Sequence, residues 1–356
     1  MAPNATTSEC TGVLNEYDAE TIDGGLVKDN TPLTRSNPRQ YQLVWRNIAA
    51  FSFLHLSAIY GSYLLFTSAR VYTIVFAMVL YCISVLGITA GAHRLWAHRS
   101  YKAKLPLRVL LTVFNTIAFQ DCAIHWARDH RVHHKFSETD ADPHNAKRGF
   151  FFSHVGWLLC KKHPDVIEKG KSLDISDLLA DPVLVFQRKH YMILMPLACF
   201  ILPTLAPIYI WNETFLNAFF VATMFRWTII LNVTWLVNSA AHKWGDKPYD
   251  VSINPVETAT VALFAFGEGW HNYHHVFPWD YKTAELGNYR ANYTTAFIDF
   301  FAKIGWAYEL KTVSDAIIKR RVERTGDGSH ATWGWGDKDQ DRNEVKYATI
   351  THRKRT

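Results

Sequence analysis

Eight of the seventeen histidines lie in three short boxes, and their side chains are the ones most able to do chemistry. The boxes are His93-Arg94-Leu95-Trp96-Ala97-His98, His130-Arg131-Val132-His133-His134 and His271-Asn272-Tyr273-His274-His275. A ninth, His242, ends the run Asn238-Ser239-Ala240-Ala241-His242. Neutral imidazole ligates Zn, Fe, Cu and Ni, so ligand type alone does not choose the metal. Ligand number does more, because one tetrahedral zinc takes about four and nine suit two ions with four or five each. Two redox-active irons at a membrane surface suggest activation of O2 towards a lipid carbon, whereas a single Lewis-acid metal would suffice for hydrolysis. A lone histidine is more often an ordinary polar residue. His55, His125, His144, His154, His163, His190, His330 and His352 lack the box spacing and are set aside on that ground.

The spacing constrains the elements that must hold these rings. In the second and third boxes the histidines stand at i, i+3 and i+4, so a helix puts all three of a box on one face. A separation of five, as between His93 and His98, does not align on a regular α-helix; it requires a helix end or a bulge, expected after Gly91. Carboxylates should orient ligating rings through their other nitrogen, and Asp129, Glu138, Asp140 and Glu268 lie close to the boxes in sequence.

Those elements belong to a chain of strongly partitioned composition. The 356 residues are 49% hydrophobic and 14% aromatic, yet mean hydropathy is near zero, because long uncharged stretches alternate with charged ones. Four stretches are long enough to span a bilayer, at about 47–69, 71–92, 191–212 and 214–241. With only Arg70 between the first two and Glu213 between the last two, they form two tight hairpins. The fold class expected is therefore all-α and multi-pass, with the segment 93–190 and the residues after 242 as a helical cap on one side. That side is rich in Lys and Arg, which makes it cytosolic by the positive-inside rule. Asn212-Glu213-Thr214 is a glycosylation sequon on the far side, lying against the membrane. The shorter apolar runs at 109–120 and 258–267 read as interfacial or buried helices. Residues 1–42 form a polar segment without a three-part signal peptide. Residues 325–356 form a polar tail whose last part is expected to be mobile.

Five scattered cysteines without a CxxC pair argue against a disulfide framework or a thiolate metal site. A net charge of +6, spread over several segments, suits anionic headgroups or an acidic partner and carries no nucleic-acid motif.

In the order HxxxxH, HxxHH, HxxHH the chain resembles the membrane-bound acyl-CoA desaturases, the stearoyl-CoA desaturase family, in an insect-like form. The runs Gly87-Ile88-Thr89-Ala90-Gly91-Ala92-His93, Trp126-Ala127-Arg128-Asp129-His130, Asp140-Ala141-Asp142-Pro143-His144-Asn145 and Gly267-Glu268-Gly269-Trp270-His271 strengthen the likeness, which covers about 43–324. The resemblance implies a mushroom shape, with a four-helix stem and a cytosolic cap holding two irons. It implies iron ligation by His93, His98, His130, His133, His134, His242, His271, His274 and His275, with Asn238 acting through a water. It also implies removal of two hydrogens from adjacent methylenes of a fatty acyl-CoA with O2 and two electrons. The electrons would come from cytochrome b5 and its NADH-dependent reductase, at the endoplasmic reticulum membrane with both termini cytosolic.

By the same analogy Asn47, Arg128, Asp129, Lys161 and Lys162 are candidates for CoA contacts. The pair Lys161-Lys162 equally suits a juxtamembrane positive-inside role. Gln120, Trp126, Thr234 and Trp235 would surround the acyl chain where it kinks, and Tyr81 and Val85, one helical turn apart, would line the far tunnel end. Asn254-Pro255-Val256-Glu257 resembles a signature associated with Δ9 insect enzymes, with Δ11 the alternative. A hydroxylase on the same diiron scaffold is the rival within enzymes. A histidine-rich metal transporter is a more distant reading, since it would place its ligands at bilayer depth.

Overall fold

The structure, a computed structural model, describes residues 41–285, 291–330 and 342–349. Cys10, most of the N-terminal segment, the Trp333-Gly334-Trp335-Gly336 run and the basic end at His352-Arg353-Lys354-Arg355 lie outside the described residues.

Among the described residues four helices are long and apolar enough to cross a membrane: α1 (Trp45–Thr67), α2 (Val71–Ala97), and, after the intervening segment, Pro182–Trp211 and Phe215–His242. Side chains such as Phe53, Ile59, Phe66, Val71, Ile193, Tyr209 and Ile210 point outward and exposed, as expected of a surface that meets lipid. Glu213 ties the two hairpin turns together: its carboxylate accepts from Arg70 N at 2.9 Å, Thr73 Oγ1 at 2.6 Å and Asn217 Nδ2 at 3.0 Å. The histidines therefore gather at the opposite end. The third span begins at Pro182 rather than at the expected Tyr191, because Asp181 caps it by accepting from Val183 N. The helix thus carries Arg188, Lys189 and His190 ahead of its apolar stretch.

The second span also differs from expectation. It does not stop near Ala92 but continues to Ala97, its last turns, Gly87–Ala97, widening into a π-helix. Gly87 permits this turn to pass close to the next helix: a Cβ there would lie 2.3 Å from Asn115 N. That helix, α3 (Leu105–Ala118), meets α4 (Ala123–Lys135) at a bend of 82°. The last carbonyls of α3 are held by the fourth span, with Arg226 Nη1 donating to Ile117 O at 3.0 Å. Arg226, the one charge within that span, thus serves as a buried peg.

The cap is completed by short helices, of which α5 (Phe150–His154), α6 (Ala259–Phe264), α7 (His271–Val276), α8 (Tyr293–Lys303) and α9 (Asp315–Thr325) concern the site. A two-residue antiparallel ladder, β1 (Lys102–Ala103) with β2 (Ala307–Tyr308), fastens the chain after α8 to the start of α3. The main core runs through both parts, from Phe51 and Leu54 in the stem to Ile298 and Phe301 in the cap. Residues 326–330, expected to start the polar tail, pack on the cap: Asp327 accepts from Lys247 N, and His330 Nε2 lies 2.5 Å from Glu285 Oε2.

Candidate metal centre

The π-helix resolves the five-residue spacing of the first box. Its i to i+5 bond, His98 N to His93 O at 3.0 Å, places the two rings at the same end of the turn, 4.7 Å apart. Helices α4 and α7 bring in the other two boxes, and His242 comes from the end of the fourth span.

The nine histidines fall into two groups. His93, His98, His130, His134 and His274 form one, His133, His242, His271 and His275 the other, and the ring nitrogens within each lie within 4.8 Å of one another. The rings of each HxxHH box do not all go to one group. In each HxxHH box the i, i+4 pair goes to one group and the i+3 ring to the other, since neighbours in sequence are about 100° apart around a helix. His130 and His134 thus part from His133, and His271 and His275 from His274.

Carboxylates fix the ring orientations. His93 Nδ1 lies 2.8 Å from Glu268 Oε2, and Arg94, fully buried, grips Glu268 Oε1 through Nε at 3.0 Å and Nη2 at 2.8 Å. Asp142 Oδ1 lies 2.9 Å from His133 Nδ1, and Glu138 Oε1 lies 3.5 Å from His242 Nδ1. Of the four carboxylates expected to do this, Glu138 and Glu268 do. Asp129 instead faces Arg128 and Lys162, and Asp140 pairs with Arg148. Asp142 and Arg94 were not singled out by sequence reasoning, although both lie in runs that carried the resemblance.

This arrangement fits a metal. With its Nδ1 proton given to Asp142, His133 turns a lone pair at Nε2 inward, buried and without a hydrogen-bond partner. Elsewhere Nε2 atoms converge, at 3.0 Å for His93 with His274, 3.0 Å for His274 with His134 and 3.1 Å for His271 with His242. Burial, and then repulsion between neighbouring rings, pushes His98, His130, His134, His271, His274 and His275 below the ordinary imidazole range. They are therefore neutral, the ligating form.

Two cavities meet beside these groups. One, about 710 Å³ of empty space including its solvent-open mouth, is lined by Gln120, Trp126, Asp129, Thr234, Trp235 and others; the second, about 480 Å³ on the same basis, includes Val85, Thr89, His93 and His271. Trp126, His130, Thr234 and Asn238 line both and form the shared wall. Gln120 Nε2 donates to Thr234 Oγ1 at 2.9 Å. Val85 lies in the second cavity, and Tyr81, one turn further along α2, donates to Phe264 O at 2.7 Å.

Among the candidates for CoA contacts, Asp129 lines the first cavity, and Asn47, Arg128 and Lys162 bond residues that line it. Asp129 and Leu158 line it, Asn47 Nδ2 donates to Leu158 O at 2.8 Å, and Lys162 Nζ donates to Asp129 Oδ2 at 2.7 Å. Burial would raise the Asp129 carboxyl, but Lys162 and Arg128 outweigh it and hold it well below the usual range. Lys161 stands beside them, its backbone N–H donating to Gln42 O. Of the histidines set aside, His125 and His144 line the first cavity, the His144 ring 4.5 Å from that of His133. His55 and His154 instead bond Asn232 in the stem.

A family model described as "Fatty acid desaturase" matches residues 69–308. An acyl-CoA Delta-9 desaturase of Acheta domesticus is 64% identical over 361 residues, covering 99% of each chain. An acyl-CoA Delta12-desaturase of the same organism is 57% identical, covering 95% of this chain and 94% of that one. An acyl-CoA Delta(11) desaturase of Trichoplusia ni is 56% identical over all of both chains.

Proposed function

This chain belongs to the fatty acid desaturase family, and on that premise we propose that it inserts a cis double bond at Δ9 of saturated C16 and C18 fatty acyl-CoA. It is an acyl-CoA desaturase and a multi-pass membrane protein. The observation that carries the position is the higher identity, 64%, to a Delta-9 enzyme than to the Delta12 and Delta(11) enzymes at 57% and 56%. The Delta(11) relative, matched from end to end, makes Δ11 the second reading.

On this reading the group of five histidines holds one iron and the group of four the other, with Asn238 at the shared wall acting through a water. Bound there, two irons supply the O2-dependent removal of one hydrogen from each of two adjacent methylenes, with O2, two electrons and two protons yielding two waters. The chain's own residues bind and aim the substrate. Lys162, Arg128 and Asp129, with Asn47 and Lys161, hold the CoA end, where Lys supplies a point charge and Arg a fork for phosphate. The acyl chain passes Gln120, Trp126, Thr234 and Trp235 and continues between Thr89 and Val237 towards Val85 and Tyr81. Indole and aliphatic walls exclude water from the reacting carbons.

Electrons come from cytochrome b5 and its NADH-dependent reductase, drawn to a basic cap. The protein resides in the endoplasmic reticulum membrane with both termini cytosolic, and residues 43–324 form the desaturase domain between the segments 1–42 and 325–356. The test is reconstitution of purified, iron-loaded protein in liposomes with cytochrome b5, its reductase and NADH. Conversion of stearoyl-CoA to oleoyl-CoA is expected; hydroxystearate as product, or no turnover, would overturn the reading.

A further inference from the structure

We propose that Asn254-Pro255-Val256-Glu257 is a bracket that positions the second histidine group, with Asn254 a positioning residue acting on His242 through Glu138. The inference rests on the reading that this group holds a metal. It gives the tetrapeptide a role in building the centre instead of in choosing the position of the double bond.

Each of the four residues bonds to a neighbour of a ligating histidine. Asn254 Nδ2 donates to Glu138 Oε2, while the other oxygen of that carboxylate faces His242 Nδ1 at 3.5 Å. The carbonyl of Pro255 accepts from Asn272 Nδ2 at 2.9 Å, and Asn272 is the residue after His271. Val256, buried, donates its N–H to Ala241 O at 2.8 Å, immediately before His242. Glu257 Oε1 accepts from Tyr273 N at 2.8 Å, immediately before His274. The tetrapeptide thus joins the end of the fourth span to the third box, which lie on either side of it in the chain.

His242 needs such support because it ends its span in a 3-10 turn, Ala240–His242, where helical bonding gives out. Glu138 in turn is a strained residue, with φ at +60°, and its N–H is anchored on Asp142 Oδ2 at 2.8 Å. A carboxylate so placed has two oxygens to satisfy. Lys147 Nζ, 3.8 Å away and largely exposed, adds little. The half-buried amide of Asn254 therefore fixes which way the carboxylate, and with it the imidazole, points. Among the described residues neither cavity is lined by any of the four.

The experiment uses the full-length protein in detergent, loaded with iron, and reads iron content and the rate of iron loss to a chelator. Wild type is expected to hold two irons per chain. Asn254→Ala should release one of them about 10–100-fold faster, the size typical of losing a group that orients a ligand, and leave the other at the wild-type rate. Glu138→Ala should do the same, and the double variant should be no faster than Glu138→Ala alone, because both act through one carboxylate. Asn254→Asp, which keeps the shape and removes the donor, serves if the alanine variant does not fold. Double bonds made by any active variant should stay at the wild-type position. Wild-type rates for both irons, equal acceleration of both, additive effects or a shifted double bond would each overturn the bracket. Wild type without metal would overturn the metal reading itself.

Discussion

Asp142 serves three bonds with one carboxylate: Oδ1 accepts from His133 Nδ1 and from His144 N, and Oδ2 accepts from the Glu138 N–H. Asp142→Ala therefore frees His133 to rotate and releases the strained turn at Glu138. Metal retention should fall about 10–100-fold, and chelator competition followed by metal analysis checks it; unchanged retention would contradict that assignment. Glu257 gives a prediction of a different kind. Burial first, and then Glu285 and Asp246, raise its carboxyl from 4.5 to about 8, against the opposing backbone N–H groups of Tyr273 and Asn272. Folded protein then keeps a proton that the unfolded chain loses above about pH 4.5, so this group's stabilisation is complete below that pH and is lost as pH rises through about 8. Glu257→Gln, which can still accept from Tyr273 N, should flatten the fall in Tm between pH 6 and 9 by about 2–4 °C, read by thermal unfolding in detergent. The nine histidines were legible in the sequence because their type and spacing repeat. The division of each box between two groups and the choice of Glu138, Asp142 and Glu268 were not, since contacts such as His93 with Glu268 join residues far apart in the chain.

At the scale of elements, the π-helix shows how a spacing can state a requirement without naming its solution. A separation of five between His93 and His98 demanded a departure from regular α geometry, and the widened turns of Gly87–Ala97 supply it while α2 is still a continuous rod. The early start of the third span at Pro182 was less legible, because Arg188, Lys189 and His190 break the apolar pattern although the backbone is already helical from its Asp181 cap. Arg226 reads in the sequence only as a charge in a span. In the structure it donates to Ile117 O and Cys199 O, each at 3.0 Å, and so ties α3 to two spans. Arg226→Leu leaves both carbonyls without that donor, at about 1–3 kcal/mol each. A lowered Tm is expected, with iron content at full loading retained; an unchanged Tm would show that α3 is held by other means.

For the whole molecule, two hairpins whose short turns share Glu213 leave one end free to carry all nine histidines, and the two cavities run past them from the Lys162 cluster towards Val85. On the proposed reading, the distance from the CoA end to the centre then sets which methylene pair reacts. Topology and the composition of the centre followed from uncharged stretches and repeated boxes. The path of the cavities did not, because it depends on how Gln120, Trp126 and Thr234 from separate elements come to face one another. The most direct test is expression in yeast lacking its own fatty-acid desaturase, with mass-spectrometric location of double bonds and His134→Ala as control. Growth rescue with Δ9 palmitoleate and oleate, lost in the control, is the predicted result. Well-expressed protein that restores no growth and makes no unsaturated product would contradict the account, and Δ11 products would contradict its ruler.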